Sequence, residues 1–229
     1  MKREESLEEL WDGRFYELED LVPVGSEGCA GCADCCIHTG DSIILDPYDM
    51  CRLTRGLHKS FEEMIEKEIE IRLVDGFILP NLMVQDEENS GREDGCPFLD
   101  QEKRCSIHAF RPGVCRLFPM ARYYTEDGFR YFLQKGECTG KGTPCEARLK
   151  EWLDTPDLQR YEAFVWTWHQ FRKEVSQKLD LLTERSQEQV QRYLLQLFYV
   201  NPYPGKKDFY LLFEERMAQA RKELKPLGI

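Results

Sequence analysis

This sequence predicts an α+β fold, predominantly helical with small β-hairpins and organised around a cysteine-ligated metal centre. Three observations lead there. Thiols fall in two blocks, Cys29, Cys32, Cys35 and Cys36, then Cys96, Cys105, Cys115 and Cys138. Short β-forming runs flank turn residues between and after those blocks. From residue 144 helical periodicity takes over, and the cysteines stop after Cys145. Three segments result: an N-terminal helix and loop (1–28), a cysteine-cluster metal-binding domain (29–145) and a helical C-terminal extension packed on it (146–229).

Leu7, Leu10 and Trp11 sit at helical spacing, so residues 4–20 read as a short acidic amphipathic helix, ended or kinked by Gly13. Residues 22–28 read as loop. After the first cysteines, Asp46-Pro47 opens a helix, with Asp as N-cap and Pro at the first helical position. Cys51 on this helix reads as a core thiol. Ser60-x-x-Glu63 forms a capping box before Met64, Ile65 and Ile69, and this helix is expected to run into a strand near Arg72. Residues 73–84 read as a ragged hairpin, and the polar stretch 85–95 as a surface loop.

In the second block a hairpin across Gln101–Lys103 brings Cys96 and Cys105 close. The stretch between Pro112 and Pro119 reads as one helical turn carrying Cys115. Asp127-Gly128 between aromatic runs predicts a second hairpin. Gly136 to Gly142 is a glycine-rich loop with Cys138. Thr155-Pro156 is expected to cap a helix whose Leu158, Tyr161, Phe164, Val165, Trp168 and Phe171 form an apolar stripe, a packing core and not a cofactor box. Ser186-x-x-Gln189 starts another helix. Residues 201–205 break it, and Asp208 caps a last helix ending near Pro226.

The chain has 229 residues and a net charge of −11, from 31 basic and 42 acidic residues. Nucleic-acid binders carry a basic excess or stripe, and neither is present. No apolar run approaches the ~20 residues that span a bilayer, and the acidity argues against anionic membranes. The charged start, Met1-Lys2-Arg3-Glu4-Glu5, has no signal-peptide apolar stretch behind it. A cytoplasmic location follows as the expectation. Disulfides suit secreted chains, so the thiols are read as metal ligands.

Thiolates are the soft ligands that zinc and iron–sulfur clusters select. The spacing C-x2-C-x2-C lets three sulfurs converge from one tight loop, aided by the small Ala30, Gly31 and Ala33. Adjacent side chains diverge in most backbone conformations, so Cys35 and Cys36 are not expected to serve one tetrahedral metal together. His38 and His108 read as structural groups beside the thiols, with zinc ligation the alternative. Arg104, Arg111, Arg116 and Arg122 fall in the same region. Arg111 and Arg116 bracket Cys115 and are read as cofactor-binding groups that offset cluster charge and donate to sulfur. The alternative is pairing with carboxylates such as Asp100.

The run Cys29-x2-Cys32-x2-Cys35-Cys36, followed by Cys96-Pro-Phe-Leu and Cys105-Ser-Ile-His-x-x-Arg111-Pro112-x-x-Cys115-Arg116-Leu-Phe-Pro119, resembles the YkgJ-type CxxCxxCC cysteine-cluster family over residues 29–142. His108 stands where that family usually has tyrosine. The resemblance implies a zinc- or iron-chelating domain. A flagellin lysine methylase carries a related block, for which iron–sulfur binding is favoured; no glycine-rich nucleotide fingerprint here extends methylation to this chain.

The first three cysteines are spaced as in the bacterial ferredoxin run, whereas zinc sites usually pair two knuckles. The expectation is therefore an iron–sulfur cluster, [4Fe-4S], in a protein with a redox, sensing or protein-modification accessory role and a redox or protein partner. The alternative is a zinc-stapled interaction module without catalysis. No catalytic residue is identifiable from the sequence.

Overall fold

The computed structural model describes residues 10–26, 32–37, 43–83, 95–138, 144–205 and 207–229. Among these residues the strands are β1 (Trp11–Tyr16), β2 (Leu21–Ser26), β3 (Ile69–Val74), β4 (Phe77–Leu82), β5 (Met120–Tyr124), β6 (Phe129–Gln134) and β7 (Pro144–Arg148). The α-helices are α1 (Pro47–Leu57), α2 (Phe61–Met64), α3 (Gly113–Leu117), α4 (Leu149–Trp152), α5 (Leu158–Leu179), α6 (Glu184–Leu195) and α7 (Phe209–Leu224). Helices beside small antiparallel sheets make the fold α+β, as expected. Two compact units alternate along the chain. The first takes the described residues of Met1–Ile43, Val84–Ala109 and Gly113–Tyr161; the second takes those of Ile44–Met83, Phe110–Pro112 and Glu162–Ile229.

The first unit contains an antiparallel sheet in the order β1-β6-β5 and a separate pair, β2-β7. Met120 opposes Leu133 and Tyr124 opposes Phe129, so residues 126–128 lie in the expected hairpin turn. The N-terminal segment departs from expectation. Its described residues from Trp11 to Tyr16 form a strand and not an amphipathic helix; Leu7 lies outside the described residues. Gly13 takes φ +90, a left-handed conformation that a helix cannot continue and that glycine adopts freely. The register shifts between Trp11 and Phe15, which is the mark of a bulge. Phe15 and Tyr16 then oppose Phe132 and Tyr131, and such cross-strand aromatic pairs stabilise a sheet more than a lone exposed helix would be stabilised.

Residues 21–26 are likewise strand where a loop was expected. Val22 and Val24 are fully buried while Leu21 and Pro23 are exposed, the alternation of a half-buried strand. Pro23 lacks an N–H and is tolerated at such an edge. Its partner is β7, with Val22 opposite Ala147, so residues 144–148 are strand too. Tyr16, Val22, Val24, Leu117, Met120, Tyr131, Leu149 and Leu153 form the buried core of this unit.

The second unit begins as its capping residues dictate. The Asp46 side chain accepts from the Asp49 N–H at 2.8 Å, and Asp49 returns the bond to Asp46. Ser60 and Glu63 reciprocate in the same way at α2. Asp208 caps α7 by accepting from Leu211. Two starts move: α5 begins at Leu158, beyond Thr155-Pro156, and Thr183, not Ser186, caps α6. Thr183 wins because its hydroxyl accepts the Ser186 N–H at 3.3 Å. Phe164, Val165, Trp168 and Phe171 are buried as the stripe on α5 required. The Phe164 ring meets Phe213 at 4.7 Å and Trp168 meets Phe198 at 4.9 Å, pairs worth about 0.5–1.5 kcal/mol beyond their buried area.

The hairpin β3-β4 completes this unit. Asp75 and Gly76 both have positive φ, 50 and 77, as a two-residue type I′ turn requires. Among the described residues no helix is long and apolar enough to cross a membrane.

Candidate metal centre

Cys32, Cys35, Cys36, Cys96, Cys105 and Cys115 all belong to the first unit, and no disulfide joins the described cysteines. Ala33 adopts a left-handed backbone, φ 61, which costs a non-glycine residue about 1–2 kcal/mol. Its carbonyl accepts from the N–H of Cys36 at 2.7 Å and of Ile37 at 3.0 Å. This tight turn brings the sulfurs of Cys35 and Cys36 to 4.0 Å from each other. The expectation that adjacent thiols diverge is thus corrected: the turn at Ala33 makes them neighbours.

The second block docks on that turn through its backbone. The Cys96 N–H donates to the Cys36 carbonyl at 2.8 Å, and Ile37 bridges Gly95. Downstream, Leu99 bridges Cys105, and the Ser106 N–H donates to the Phe98 carbonyl at 2.9 Å. This is the hairpin expected across residues 101–103. Pro97 has no N–H, so the first backbone donor after Cys96 is that of Phe98, and it bonds the Cys96 sulfur. Cys115 rides on α3, the helical turn anticipated between the two prolines.

The thiols feel one another. The Cys36 thiol is held well above its ordinary range, first by its hydrogen bond with Cys35, then by burial, and then by the charges Cys35, Cys96 and Cys115 would carry. Burial pushes Cys96 up to about 11; the Phe98 N–H acts in the opposite direction, and Cys105 and Cys35 add to the rise. Five thiols from three segments therefore share one electrostatic neighbourhood. A bound cation would relieve that mutual opposition, since metal binding requires the thiolate and releases its proton. The donor set fits zinc or iron in chemical type. Among the described residues, however, no three Cys, His, Asp or Glu side chains are gathered closely enough to enclose one metal ion.

The other predicted residues are placed as follows. Cys29 and His38 lie outside the described residues. Cys32 is half-buried, Cys138 is exposed after β6 and Cys145 is exposed on β7. His108 is exposed, and its backbone N–H donates to the Cys105 carbonyl at 3.3 Å. Cys51 is buried in the second unit, as a core thiol should be. Arg104 pairs with the surface carboxylates Asp100 and Glu102.

Arg111 is half-buried and belongs to the second unit. Arg116 is 1% exposed; its Nε donates to Thr155 Oγ1 at 3.1 Å, and its guanidinium lies 5.4 Å from the Tyr161 ring centre. Arg122 stands 5.6 Å from the same ring and close to Phe129 and Tyr131. The sequence reading missed the Phe98 amide, for which Pro97 was the available signal, and placed Tyr161 only in the apolar stripe of its helix; nothing local marks its contacts with Arg116 and Arg122.

No curated protein and no solved structure matches the chain. A family model described as "putative zinc- or iron-chelating domain" matches residues 28–156, which is more than half of the chain and contains both cysteine blocks. With both cysteine blocks inside the matched residues, the chain belongs to the CxxCxxCC family.

Proposed function

We propose that this chain is a cytoplasmic iron–sulfur protein in which the two cysteine blocks hold a [4Fe-4S] cluster, and that it serves a redox, sensing or protein-modification accessory role beside a protein partner. The observation that carries the reading is the position of Cys36, whose thiol responds to Cys35, Cys96 and Cys115 from three separate segments. Family membership supports metal binding. The evenly spaced Cys29, Cys32 and Cys35 favour a cluster, since ferredoxin loops use that spacing. When bound, such a cluster supplies one-electron transfer. The four thiolates that would hold such a cluster are drawn from Cys29, Cys32, Cys35, Cys36, Cys96, Cys105, Cys115 and Cys138. The Phe98 N–H favours ionised Cys96, and the thiol-rich composition suits a reducing compartment.

A second reading, a zinc staple without catalysis, is favoured by the 4.0 Å separation of the Cys35 and Cys36 sulfurs. With Zn–S bonds of about 2.3 Å, a tetrahedral site spaces its sulfurs about 3.8 Å apart. Iron, zinc and acid-labile sulfide per chain, measured with the visible spectrum after oxygen-free purification, separate the two. Iron and sulfide in equal amounts, about four of each, support the cluster. Zinc without sulfide replaces it by the staple. A chain that takes up neither metal sinks both readings.

A further inference from the structure

The two-residue turn of the β3-β4 hairpin makes Val74 and Phe77 its closing pair. In that geometry the closing residues exchange backbone bonds, and by alternation Arg72 and Glu70 also bond inward to β4. The far side of β4 agrees with this phase. Ile78 donates its N–H to Gln191 Oε1 at 2.8 Å, and the Pro80 carbonyl accepts from Leu45 at 2.9 Å. Both groups point away from β3. The backbone groups of Ile69, Ile71 and Leu73 must then point away from β4.

Among the described residues this sheet has only its two strands, and none of those residues pairs with the outer edge of β3. The side chains there are apolar; Ile71 is exposed at 36% and Leu73 at 69%, while Ile69 is buried at the start of the strand. Natural edges of this kind are usually shortened, covered or charged against pairing. Here the two charges on the strand, Glu70 and Arg72, neutralise each other, with Arg72 Nε 2.6 Å from Glu70 Oε1.

We infer that β3 is a homodimerisation edge, pairing antiparallel with β3 of a second copy about a two-fold axis at Ile71. The order Ile69-Glu70-Ile71-Arg72-Leu73 is complementary to its own reversal. In this register Ile71 opposes Ile71 of the second copy, Ile69 opposes Leu73, and Glu70 opposes Arg72. The outward backbone groups of Ile69, Ile71 and Leu73 fall in hydrogen-bonded pairs, and Glu70 and Arg72 in the closer non-hydrogen-bonded pairs. Moving the axis one residue either way sets Glu70 against Glu70 or Arg72 against Arg72. The charges therefore fix the register as well as the partner. The product is a continuous sheet, β4-β3-β3-β4, with an isologous interface. One strand edge offers less area than the about 1,600 Å² of standard interfaces, so the dimer depends on concentration.

Sedimentation equilibrium of the full chain over a wide concentration range tests this. The expected mass rises from 27.0 kDa toward twice that value. Ile71→Lys sets like charges face to face on the axis and is expected to hold the chain monomeric. Glu70→Arg alone is expected to weaken the dimer, and Glu70→Arg combined with Arg72→Glu to restore it. Hydrogen exchange is expected to slow at the Ile71 and Leu73 amides only where the dimer is populated. A chain monomeric throughout overturns the inference. So does a dimer unaffected by Ile71→Lys, which must use another surface, and so does protection of these amides in the monomer, which means another segment covers the edge.

Discussion

The backbone N–H of Cys96 donates to the carbonyl of Cys36 across 2.8 Å. That bond joins the two cysteine blocks, and Cys36 is the thiol most affected by the others. Replacing Cys36 by serine substitutes a hard oxygen for a soft sulfur and leaves the backbone bond in place. The expected result is loss of most of the bound metal per chain. Cys51→Ala, in the second unit, is expected to leave metal content unchanged. Metal analysis of both purified variants checks this; full loading of the serine variant would remove Cys36 from the ligand set.

The pH dependence has a definite sign. Burial is the first cause of the rise at both Cys96 and Cys51, each pushed from 9.0 to about 11; the arginines Arg55, Arg216 and Arg52 oppose it at Cys51. A raised thiol keeps its proton longer in the folded chain than in the unfolded one. Its stabilising contribution is complete below 9.0 and is lost as pH climbs through about 11. Metal-free protein is therefore expected to lose stability across that window. In loaded protein Cys96 is already ionised, so only the share from Cys51 is expected to decline, and Cys51→Ala should flatten the curve further. Denaturation midpoints of loaded and metal-free protein across the window provide the measurement. Metal affinity is expected to rise with pH over the same range, because a proton leaves each ligand.

The legible parts of the fold are those whose cause is local. Asp46-Pro47, Ser60-x-x-Glu63 and Asp208 each carry their structural instruction within four residues and act where they stand in the sequence. The hairpin foreseen at Asp127-Gly128 forms, but its turn centres on Glu126 and Asp127, closed by the Thr125 N–H on the Gly128 carbonyl at 2.8 Å. The strands β1 and β2 were not legible because their partners, β6 and β7, lie more than a hundred residues downstream. Leu7, Leu10 and Trp11 are spaced in the sequence as one helix face requires, yet the pairing of Phe15 with Phe132 decides the outcome. At the metal centre the thiols and the hairpin at Cys96 could be read from spacing. The approach of Cys35 to Cys36 could not, since it depends on a left-handed Ala33, a conformation alanine rarely takes.

Gly113 opens α3, the helix that carries Cys115. A Cβ added there would stand 2.1 Å from the Tyr161 hydroxyl oxygen. Tyr161 is only 2% exposed, so its ring cannot swing aside without disturbing the core. Gly113→Ala is expected to destabilise the chain by about 1–3 kcal/mol, as overpacking does. Urea denaturation reads this directly. Unchanged stability would mean that the Tyr161 side of the core yields more easily than its burial implies.

Arg116 follows Cys115 on that helix, yet its Nε hydrogen bond goes to Thr155 Oγ1 and its guanidinium lies over Tyr161. Thr155 in turn donates its hydroxyl to the Leu153 carbonyl at 2.7 Å. This chain of contacts anchors α3 and hence the position of Cys115. A hydrogen bond involving a charged group contributes about 1.5–3 kcal/mol, so Thr155→Val is expected to lower stability by that order. Arg116→Lys keeps the charge but loses both the Nε donor and the planar group over Tyr161, and is expected to do the same. Because the two residues act through one bond, the double variant should be less destabilised than the sum of the singles. Metal per chain and the visible spectrum are expected to stay at the parent values in all three. If Arg116→Lys instead shifts the spectrum or the reduction potential while stability holds, Arg116 acts on the metal directly, and anchoring of the Cys115 helix is not its role.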